Sequence, residues 1–539
     1  MSTEARARMS RMRVIQRLAS RDASLFVDPV IAAERLGWIG APQAALDEAP
    51  ALRSFADEVV ASGITDAVLL GMGGSSLAPL VLSRVFGSAA GHPALHVLDT
   101  TSPTQVSSLL SSLTPETTLV IVSSKSGTTI EPMSLAAIFQ EWLRAALGGG
   151  AGAHMIALTD PGSALERLAQ ADGYARIIST PPDVGGRFAA LTPFATLPAA
   201  LMGIDVPALA ASALRAETQC STDDPDNRGA ELAAWMADAL SDGRTKLTLV
   251  ISKEYAAFGL WVEQLVAEST GKRGQGLLPV LEDAPGDPSA HGADRMTFIL
   301  RTPGDAALAA LPSALPVEEP VFESVPRDAD ALGGEFVRWE WAVALLCALS
   351  AIEPFDQPNV AEAKDATEGI LSGGGAPDAP ATIEVRSTAT GISGLEALAP
   401  ALKVELDDAG AGSYLAVLAY LPDDEDLLAP LRDACATVSA ARRLAVTLEL
   451  GPRYLHSTGQ YHKGGPARGV FVVLTAGSFD DVAVPGKPYT LGVLNRAQAS
   501  GDVATLAAHG RPVIEVALPD PGLANVEAVA LALRTLTVA

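Results

Sequence analysis

Residues 67–76 read Ala-Val-Leu-Leu-Gly-Met-Gly-Gly-Ser-Ser, an aliphatic run that leads directly into a turn of glycines and serines. A largely apolar stretch, 77–86, follows. This order predicts a buried parallel strand, a tight turn and a crossover helix. Because the turn lies at the carboxyl end of the strand, its amides and hydroxyls can face an anion at the helix N-terminus. Tight strand-to-helix packing is the alternative interpretation, since the spacing matches neither a Walker A loop nor a complete GxGxxG motif.

The same alternation of aliphatic runs and helical stretches recurs in three series. The predicted strands lie at 67–70, 95–98, 119–122 and 154–158, then at 246–251, 276–280 and 296–300, and finally at 414–418, 445–450, 469–474 and 512–516. A glycine-rich break at 372–377 separates the second series from the third. The periodicity leaves open whether the third series forms a domain of its own or completes the second sheet.

These series predict an α/β protein with several units. We predict an N-terminal helical extension over 1–45, a first doubly wound domain over 46–210, a second over 211–372, and a C-terminal α/β segment over 373–539 that completes or flanks the second domain.

The composition is that of a large, acidic, globular protein. The chain has 539 residues, 48% of them hydrophobic and 19% charged, and its mean hydropathy is +0.25. Asp and Glu number 63 against 38 Lys and Arg, which gives a formal net charge of −25. This charge repels phosphate backbones and anionic lipids, so neither nucleic acid nor a membrane is an expected partner. An anionic small molecule remains compatible with it, because a few local donors can offset the overall field.

The cysteines and the N-terminus favour a reducing compartment. Cys220, Cys347 and Cys435 lie far apart and form no CxxC pair, so we expect neither a disulfide framework nor a structural zinc site. The N-terminus carries arginines but has no apolar core of signal-peptide length. A cytoplasmic location is therefore expected.

A second polar loop follows another predicted strand. Residues 123–129 read Ser-Ser-Lys-Ser-Gly-Thr-Thr, which places five hydroxyls, one ammonium and one glycine within seven positions. Many donors with little bulk suit a phosphate dianion, although a merely hydroxyl-rich turn with a capping residue would have the same composition. Because the carboxyl ends of parallel strands meet at one edge of a sheet, this loop and residues 71–76 together favour a phosphorylated ligand.

Four further segments carry groups suited to acid–base chemistry. Arg187 follows two glycines, and Glu268 lies near the end of an amphipathic helix that a glycine at 271 would cap. Lys364 lies on a helix that follows a Pro-Phe-Asp-Gln-Pro turn, and His456 and His462 share a polar loop after a strand. Taken singly, each has an ordinary interpretation as a salt-bridged, solvated or surface residue.

In combination, the segments SKSGTT, GGRF, AESTGK and FDQPNVAEAK resemble the glucose-6-phosphate isomerase family, especially the isomerase part of bacterial proteins in which that enzyme is fused to transaldolase. The resemblance extends from about residue 20 to the C-terminus. It implies an α/β fold with two doubly wound SIS-type (sugar-isomerase) parallel-sheet domains and N- and C-terminal extensions. Transaldolase activity is not expected, because only 66 residues precede the first predicted strand.

The resemblance also implies a role for each matching residue. Glu268 would move a proton between C1 and C2 of the sugar, Arg187 would stabilise the enediolate, and Lys364 would assist at the ring oxygen. His456 best matches the ring-opening histidine, because His-Ser-x-x-Gln resembles the family's segment, and His462 is the alternative. The implied substrate- and phosphate-binding residues are Gly74, Ser75, Ser76, Ser124, Lys125, Ser126, Thr128 and Thr129. No metal ion or organic cofactor is implied.

One feature departs from the family's pattern. In the family the histidine segment precedes the FDQP segment, whereas here His456 follows Lys364. Either the topology is rearranged or one of the two assignments is wrong. The alternatives for function are an isomerase that also accepts mannose 6-phosphate, and a noncatalytic phosphosugar-binding protein that would have no need of the acid–base set. The resemblance further implies a homodimer, in which one subunit commonly lends a histidine to its neighbour.

Overall fold

The structure is a computed structural model that describes residues 4–282, 291–373, 378–387, 394–477 and 480–537. The strands in these ranges form three sheets, and almost all of them are parallel to their neighbours. The predicted α/β fold class is confirmed. The glycine-rich break predicted at 372–377 lies largely outside the described residues.

The first sheet has five parallel strands in the order β2-β1-β3-β4-β5. Their bounds are β1 Asp66–Leu70, β2 Ala94–Leu98, β3 Thr118–Ser123, β4 Met155–Thr159 and β5 Arg176–Ser179. Leu70 is in register with Leu98 on one side and Val122 on the other, so the turns after these strands begin at one edge of the sheet. The winding direction reverses between β1 and β3, and such a switch point is where open α/β sheets bind ligands.

The second and third sheets repeat this winding. The second has the order β7-β6-β8-β9, with β6 Lys246–Ile251, β7 Leu278–Glu282, β8 Arg295–Leu300 and β9 Val321–Ser324. The third has the order β10-β14-β13-β11-β12, with β10 Glu384–Ser387, β11 Tyr414–Ala419, β12 Ala445–Leu450, β13 Gly469–Ala476 and β14 Val513–Leu518. The third series therefore builds a sheet of its own, and within the described ranges none of its strands pairs with the second sheet.

Helices surround the three sheets. Before and around the first sheet lie α1 Glu4–Met12, α2 Val14–Ala19, α3 Pro29–Ala33, α4 Ala41–Ala61, α5 Leu77–Phe86, α6 Pro103–Ser112, α7 Ile130–Leu147, α8 Ala164–Ala171 and α9 Pro193–Leu201. The second sheet is accompanied by α10 Val206–Cys220, α11 Arg228–Ser241, α12 Phe258–Thr270, α13 Ala306–Ala310, α14 Leu332–Ser350 and α15 Pro358–Ser372. The third is accompanied by α16 Leu398–Ala409, α17 Glu425–Arg442, α18 Gly459–Gly464, α19 Leu491–Ala508 and α20 Leu523–Arg534.

The apolar core explains where the long helices lie. One cluster of buried side chains joins the N-terminal helices, the first sheet and the second sheet, and α14 runs through it with Trp339 and Trp341 fully buried. A separate cluster fills the third sheet and its helices α16, α17 and α20. Although α14 is apolar on nearly all sides, none of the helices in the described ranges combines the length and apolar character that a membrane crossing requires.

Three strands were not predicted from the sequence. β5 and β9 are short edge strands with largely half-buried or exposed residues, and β10 is a short antiparallel edge strand. These three strands bury only part of their surface, so they need no continuous aliphatic run and give little hydrophobic signal.

Candidate active site

Two polar turns lie side by side at the switch point of the first sheet. Residues 71–76 follow β1 and residues 124–129 follow β3, and the Ser123 hydroxyl donates a hydrogen bond to the carbonyl of Ser75 (2.8 Å). Position 74 must be glycine, because a Cβ there would clash with the backbone of Gly186. This close approach brings the segment that carries Arg187 directly against the first turn.

The second turn presents its hydroxyls to solvent. Ser126 and Thr128 are exposed, and their hydroxyl oxygens lie 2.8 Å apart. Ser124 is buried, and its Oγ accepts the N–H of Gly127 (3.1 Å), which holds the turn in shape. The turn therefore offers two solvent-exposed hydroxyls at the end of a buried strand, and such hydroxyls can bind the oxygens of a phosphate.

The other predicted phosphate-binding residues have different surroundings. The Lys125 ammonium pairs with Asp160 (2.5 Å) and donates to the carbonyl of Pro181 (3.2 Å). Ser76 is buried, with its hydroxyl donating to the carbonyl of Gly73 (3.2 Å). Half-buried positions are occupied by Gly74, Ser75 and Thr129. The charge of Lys125 is thus already paired with a carboxylate.

Arg187 and Glu268 form a buried ion pair. The guanidinium Nη1 lies 3.2 Å from Glu268 Oε1, and each side chain is only 5% exposed. Glu268 is on the last turn of α12, which follows β6, whereas Arg187 follows the paired glycines after β5. The pair therefore joins the first unit, built on the first sheet, to the second unit, built on the second sheet. The third unit is built on the third sheet. A cation beside a carboxylate in a water-poor site is a suitable arrangement for moving a proton while stabilising an oxyanion.

The FDQP turn fixes the guanidinium of Arg187. Arg187 Nη2 donates to the carbonyls of Pro354 and Asp356, the latter at 2.9 Å, and Nη1 donates to Gln357 Oε1 (3.1 Å). Nε also donates to the Ser269 hydroxyl (3.0 Å). Because so many acceptors surround one planar group, the cation has a defined orientation before any substrate arrives.

Gln264 joins the base to the histidine segment. It lies one helical turn before Glu268 on α12, and its Nε2 donates to Glu268 Oε2 (3.1 Å) and to the carbonyl of His456 (2.8 Å). A single side-chain amide therefore spans two of the predicted catalytic residues, one from the second unit and one from the third.

His456 forms a pair with Glu131. The imidazole Nε2 lies 3.0 Å from Glu131 Oε1, and that oxygen also accepts from Gln498 Nε2 (2.7 Å). Burial alone would raise the pKa of Glu131, but the charge and hydrogen bond of His456 outweigh it, so the pKa of this carboxyl is lowered. With Nε2 directed at a carboxylate, Nδ1 is the ring nitrogen that remains for a substrate.

A cleft brings several of the predicted residues together. It has a volume of about 450 Å³ including its open mouth, and it is lined by Thr128, Glu131, Lys364, His456 and Gln498, among others. Thr128 comes from the hydroxyl-rich turn, Lys364 from the helix after the FDQP turn, and His456 from the histidine segment. The described residues contain no group of three or more His, Cys, Asp or Glu side chains arranged to hold a metal ion.

His462, the alternative histidine, lies away from this cleft. It is 1% exposed, its Nε2 lies 2.9 Å from Glu449 Oε2, and its Nδ1 lies 3.0 Å from the Tyr414 hydroxyl. Both ring nitrogens are therefore occupied in the interior of the third unit. Of the two histidines, the structure brings only His456 to the candidate site.

Three residues of the site were not singled out from the sequence: Glu131, Gln264 and Gln498. Glu131 follows the hydroxyl-rich loop in the first turn of α7, and Gln264 lies four positions before Glu268. The i, i+4 spacing on a helix is a signal that could have identified Gln264. Glu131 and Gln498 gain their significance from partners more than 300 positions away, and no local pattern reports such contacts.

The chain is similar in sequence to known phosphoglucose isomerases. The family model for phosphoglucose isomerase matches residues 51–276, which include Arg187 and Glu268 but end before Lys364 and His456. A glucose-6-phosphate isomerase of Rubrobacter xylanophilus is 36% identical over 240 residues, which are 42% of this chain and 54% of that protein. The match thus spans about half the length of that relative. A glucose-6-phosphate isomerase of Thermus thermophilus is 28% identical over 386 residues, 63% of this chain and 90% of that protein.

Solved structures show the same fold. The crystal structure of a hypothetical protein from Thermus thermophilus superimposes with a TM-score of 0.58 at 26% identity, covering 68% of this chain and 97% of that one. A glucose-6-phosphate isomerase from Chlamydia trachomatis gives a TM-score of 0.52 at 18% identity, covering 60% of this chain and 73% of that one.

Proposed function

We propose that the chain is a member of the phosphoglucose isomerase family, to which it is similar over residues 51–276, and that it interconverts glucose 6-phosphate and fructose 6-phosphate through ring opening and an enediolate. The observation that carries the proposal is the buried Arg187–Glu268 pair, held through Gln264 against the segment of His456. Aldose–ketose isomerisation needs a base at the carbon, a cation at the oxygen and an acid at the ring, and Glu268, Arg187 and His456 would supply these three groups.

The substrate phosphate would bind the hydroxyl-rich turn. The exposed hydroxyls of Ser126 and Thr128, together with Thr129, would donate to its oxygens, and the turns that contain Ser75 and Ser124 would supply further donors. Binding there leaves the sugar carbons to extend from the switch point of the first sheet towards Glu268.

Ring opening moves one proton from the C1 hydroxyl to the ring oxygen while the C1–O5 bond breaks. We assign this exchange to His456 and Lys364, which line the same cleft. Glu131 accepts the Nε2 proton of His456, so Nδ1 would exchange the proton with the sugar. Acid–base groups of this kind typically contribute about 10² to 10⁴-fold each.

Glu268 would then take the proton from C2 of the open aldose and return it to C1, while the proton of the C2 hydroxyl moves to the C1 oxygen, which yields the ketose. On accepting the proton, Glu268 loses its negative charge, and its ion pair with Arg187 weakens. The guanidinium is then free to stabilise the negative charge that develops on the enediolate oxygen. The FDQP carbonyls keep Arg187 in place during this change, so little reorganisation is needed.

We further propose that the protein acts in glycolysis and gluconeogenesis, in the cytoplasm. The reaction as assigned uses only side chains of the chain and no metal or organic cofactor. A homodimer is proposed by analogy with the family.

A coupled assay that follows glucose 6-phosphate formed from fructose 6-phosphate tests the proposal. It should be run with and without EDTA, and with mannose 6-phosphate as a parallel substrate. We expect EDTA-insensitive isomerisation that Glu268→Gln abolishes, because the amide keeps the contact with Arg187 but cannot accept a proton. Glu254→Gln, which alters an exposed glutamate ahead of α12, is the matched control and should be fully active. A wild-type chain without this activity, or one inactivated by EDTA, would refute the proposal.

A further inference from the structure

The histidine of the candidate site is carried by the third unit. β12 ends at Leu450, and the chain then enters the turn 451–457, which contains His456. Within the same chain this turn reaches the first unit through Glu131 and the second unit through Gln264. A Cβ at position 73 in the first turn would lie 3.1 Å from His456 Cβ, so the turn is packed closely against the first unit.

An ion pair fixes this turn on the first sheet. Arg453 Nε and Nη2 donate to the two carboxylate oxygens of Asp99, both at 2.8 Å, and Nη2 also donates to Asp423 (2.9 Å). Asp99 directly follows β2 and is 1% exposed, and Arg453 is 12% exposed. A bidentate arginine–carboxylate pair in such a dry setting specifies both position and orientation.

The turn also contacts the second unit. The Ser457 hydroxyl donates to Glu263 on α12 (3.1 Å), the residue directly before Gln264. Residues of the first and of the second unit thus both hold the turn that carries His456. Nothing in this set of contacts needs a second copy of the chain.

We propose that the third unit supplies His456 in cis, with Arg453 and Asp99 as the positioning residues, so that one chain contains a complete isomerase site. This inference rests on the proposed isomerase activity and concerns its assembly. It also accounts for the order of the two segments. The histidine segment follows the FDQP segment because it belongs to the third sheet, which comes later in the chain.

Subunit mixing distinguishes a site completed in cis from one shared between chains. His456→Ala and Glu268→Gln are each expected to be inactive, and the two are refolded together in equal amounts. If each site drew its histidine from a partner, random dimers would regain about a quarter of wild-type activity. A site completed in cis would regain none. Recovery near a quarter overturns the proposal. Inactivity of the unmixed wild-type chain would instead refute the isomerase function.

The positioning role is tested with Arg453→Met. The His456 turn should lose its anchor, so kcat for cyclic glucose 6-phosphate should fall at least about tenfold. Binding of 5-phosphoarabinonate, an acyclic sugar-acid phosphate that needs no ring opening, should stay within about twofold of wild type, because a loss confined to ring opening leaves ground-state binding unchanged. Arg84→Met is the matched control, because Arg84 pairs with the same Asp423 from an exposed position. Its kcat should be unchanged.

Removing Arg453 alone leaves Asp99 buried and unpaired, which can destabilise the fold. The double variant Asp99→Asn, Arg453→Gln removes both charges and keeps polar groups at both positions. Circular dichroism confirms that the chain is folded, and kcat should again fall. A folded double variant with wild-type kcat would overturn the positioning role.

Discussion

Replacing Glu131 with glutamine removes the carboxylate that orients His456 and keeps the shape of the side chain. Glu131 is 2% exposed and lies 3.0 Å from the imidazole. The amide of the new side chain can donate to Nε2, and that reverses the direction of the hydrogen bond and places the ring proton on Nδ1. The nitrogen that faces the sugar would then be in the wrong state to accept a proton.

The expected size of the effect follows from the bond that is lost. A hydrogen bond to a charged group contributes about 1.5–3 kcal/mol, and about 1.4 kcal/mol corresponds to a factor of ten in rate. If the full contribution acts in ring opening, kcat for glucose 6-phosphate should fall roughly 10- to 150-fold. KM should change little, since Glu131 is not among the proposed phosphate-binding groups.

Steady-state kinetics in the coupled assay measure kcat and KM for Glu131→Gln. Glu141→Gln, on an exposed part of the same helix, is the control and should match wild type. The affinity for 5-phosphoarabinonate should be unchanged, because that ligand is already acyclic. An unchanged kcat, or a loss that appears only in KM, would refute a role for Glu131 in ring opening.

Three further outcomes are expected. Ser126→Ala combined with Thr128→Ala should raise KM more than it lowers kcat, because phosphate contacts are the same in ground and transition states. Arg187→Lys should lower kcat about 10² to 10³-fold in a folded protein, as a lysine cannot reproduce the planar set of contacts; kcat within twofold of wild type would contradict this. Burial alone would lower the pKa of His291, but hydrogen bonds to two glutamates raise it to about 9, above its ordinary 6.5. Its contribution, on the order of 3 kcal/mol, is therefore complete below pH 6.5 and is lost as pH rises through 9. Urea unfolding across this range should show the loss in wild type and a flatter profile in His291→Asn.

The strands with aliphatic runs were predictable, the edge strands β2, β7 and β12 included, whereas the short edge strands β5, β9 and β10 were not. The run at 246–251 coincides with β6, and the run at 445–450 with β12, because a strand covered on both faces must be aliphatic throughout. By contrast, the residues of β5 and β10 are largely half-buried or exposed, so these strands give little hydrophobic signal. The separate third sheet could not be chosen from periodicity, because the winding of each series looks the same in sequence.

The candidate site was predictable where motifs are local. The hydroxyl turn at 124–129, Arg187 after its glycines and Glu268 before its capping glycine were all singled out from the sequence. The partners that orient these groups were not, because they depend on tertiary contacts. The FDQP carbonyls around Arg187 and the pairing of His456 with Glu131 illustrate this, since each joins segments more than 150 positions apart.

Isotope transfer from solvent tests most directly whether a carboxylate moves the proton. Fructose 6-phosphate is converted in D₂O, and the glucose 6-phosphate formed is examined by NMR for deuterium at C2. Because a proton held on Glu268 can exchange with water, wild type should incorporate deuterium at C2, and folded Glu268→Gln should form no product. Isomerisation without any deuterium at C2 after many turnovers would indicate a hydride shift. That result, or an active Glu268→Gln, would contradict the mechanism.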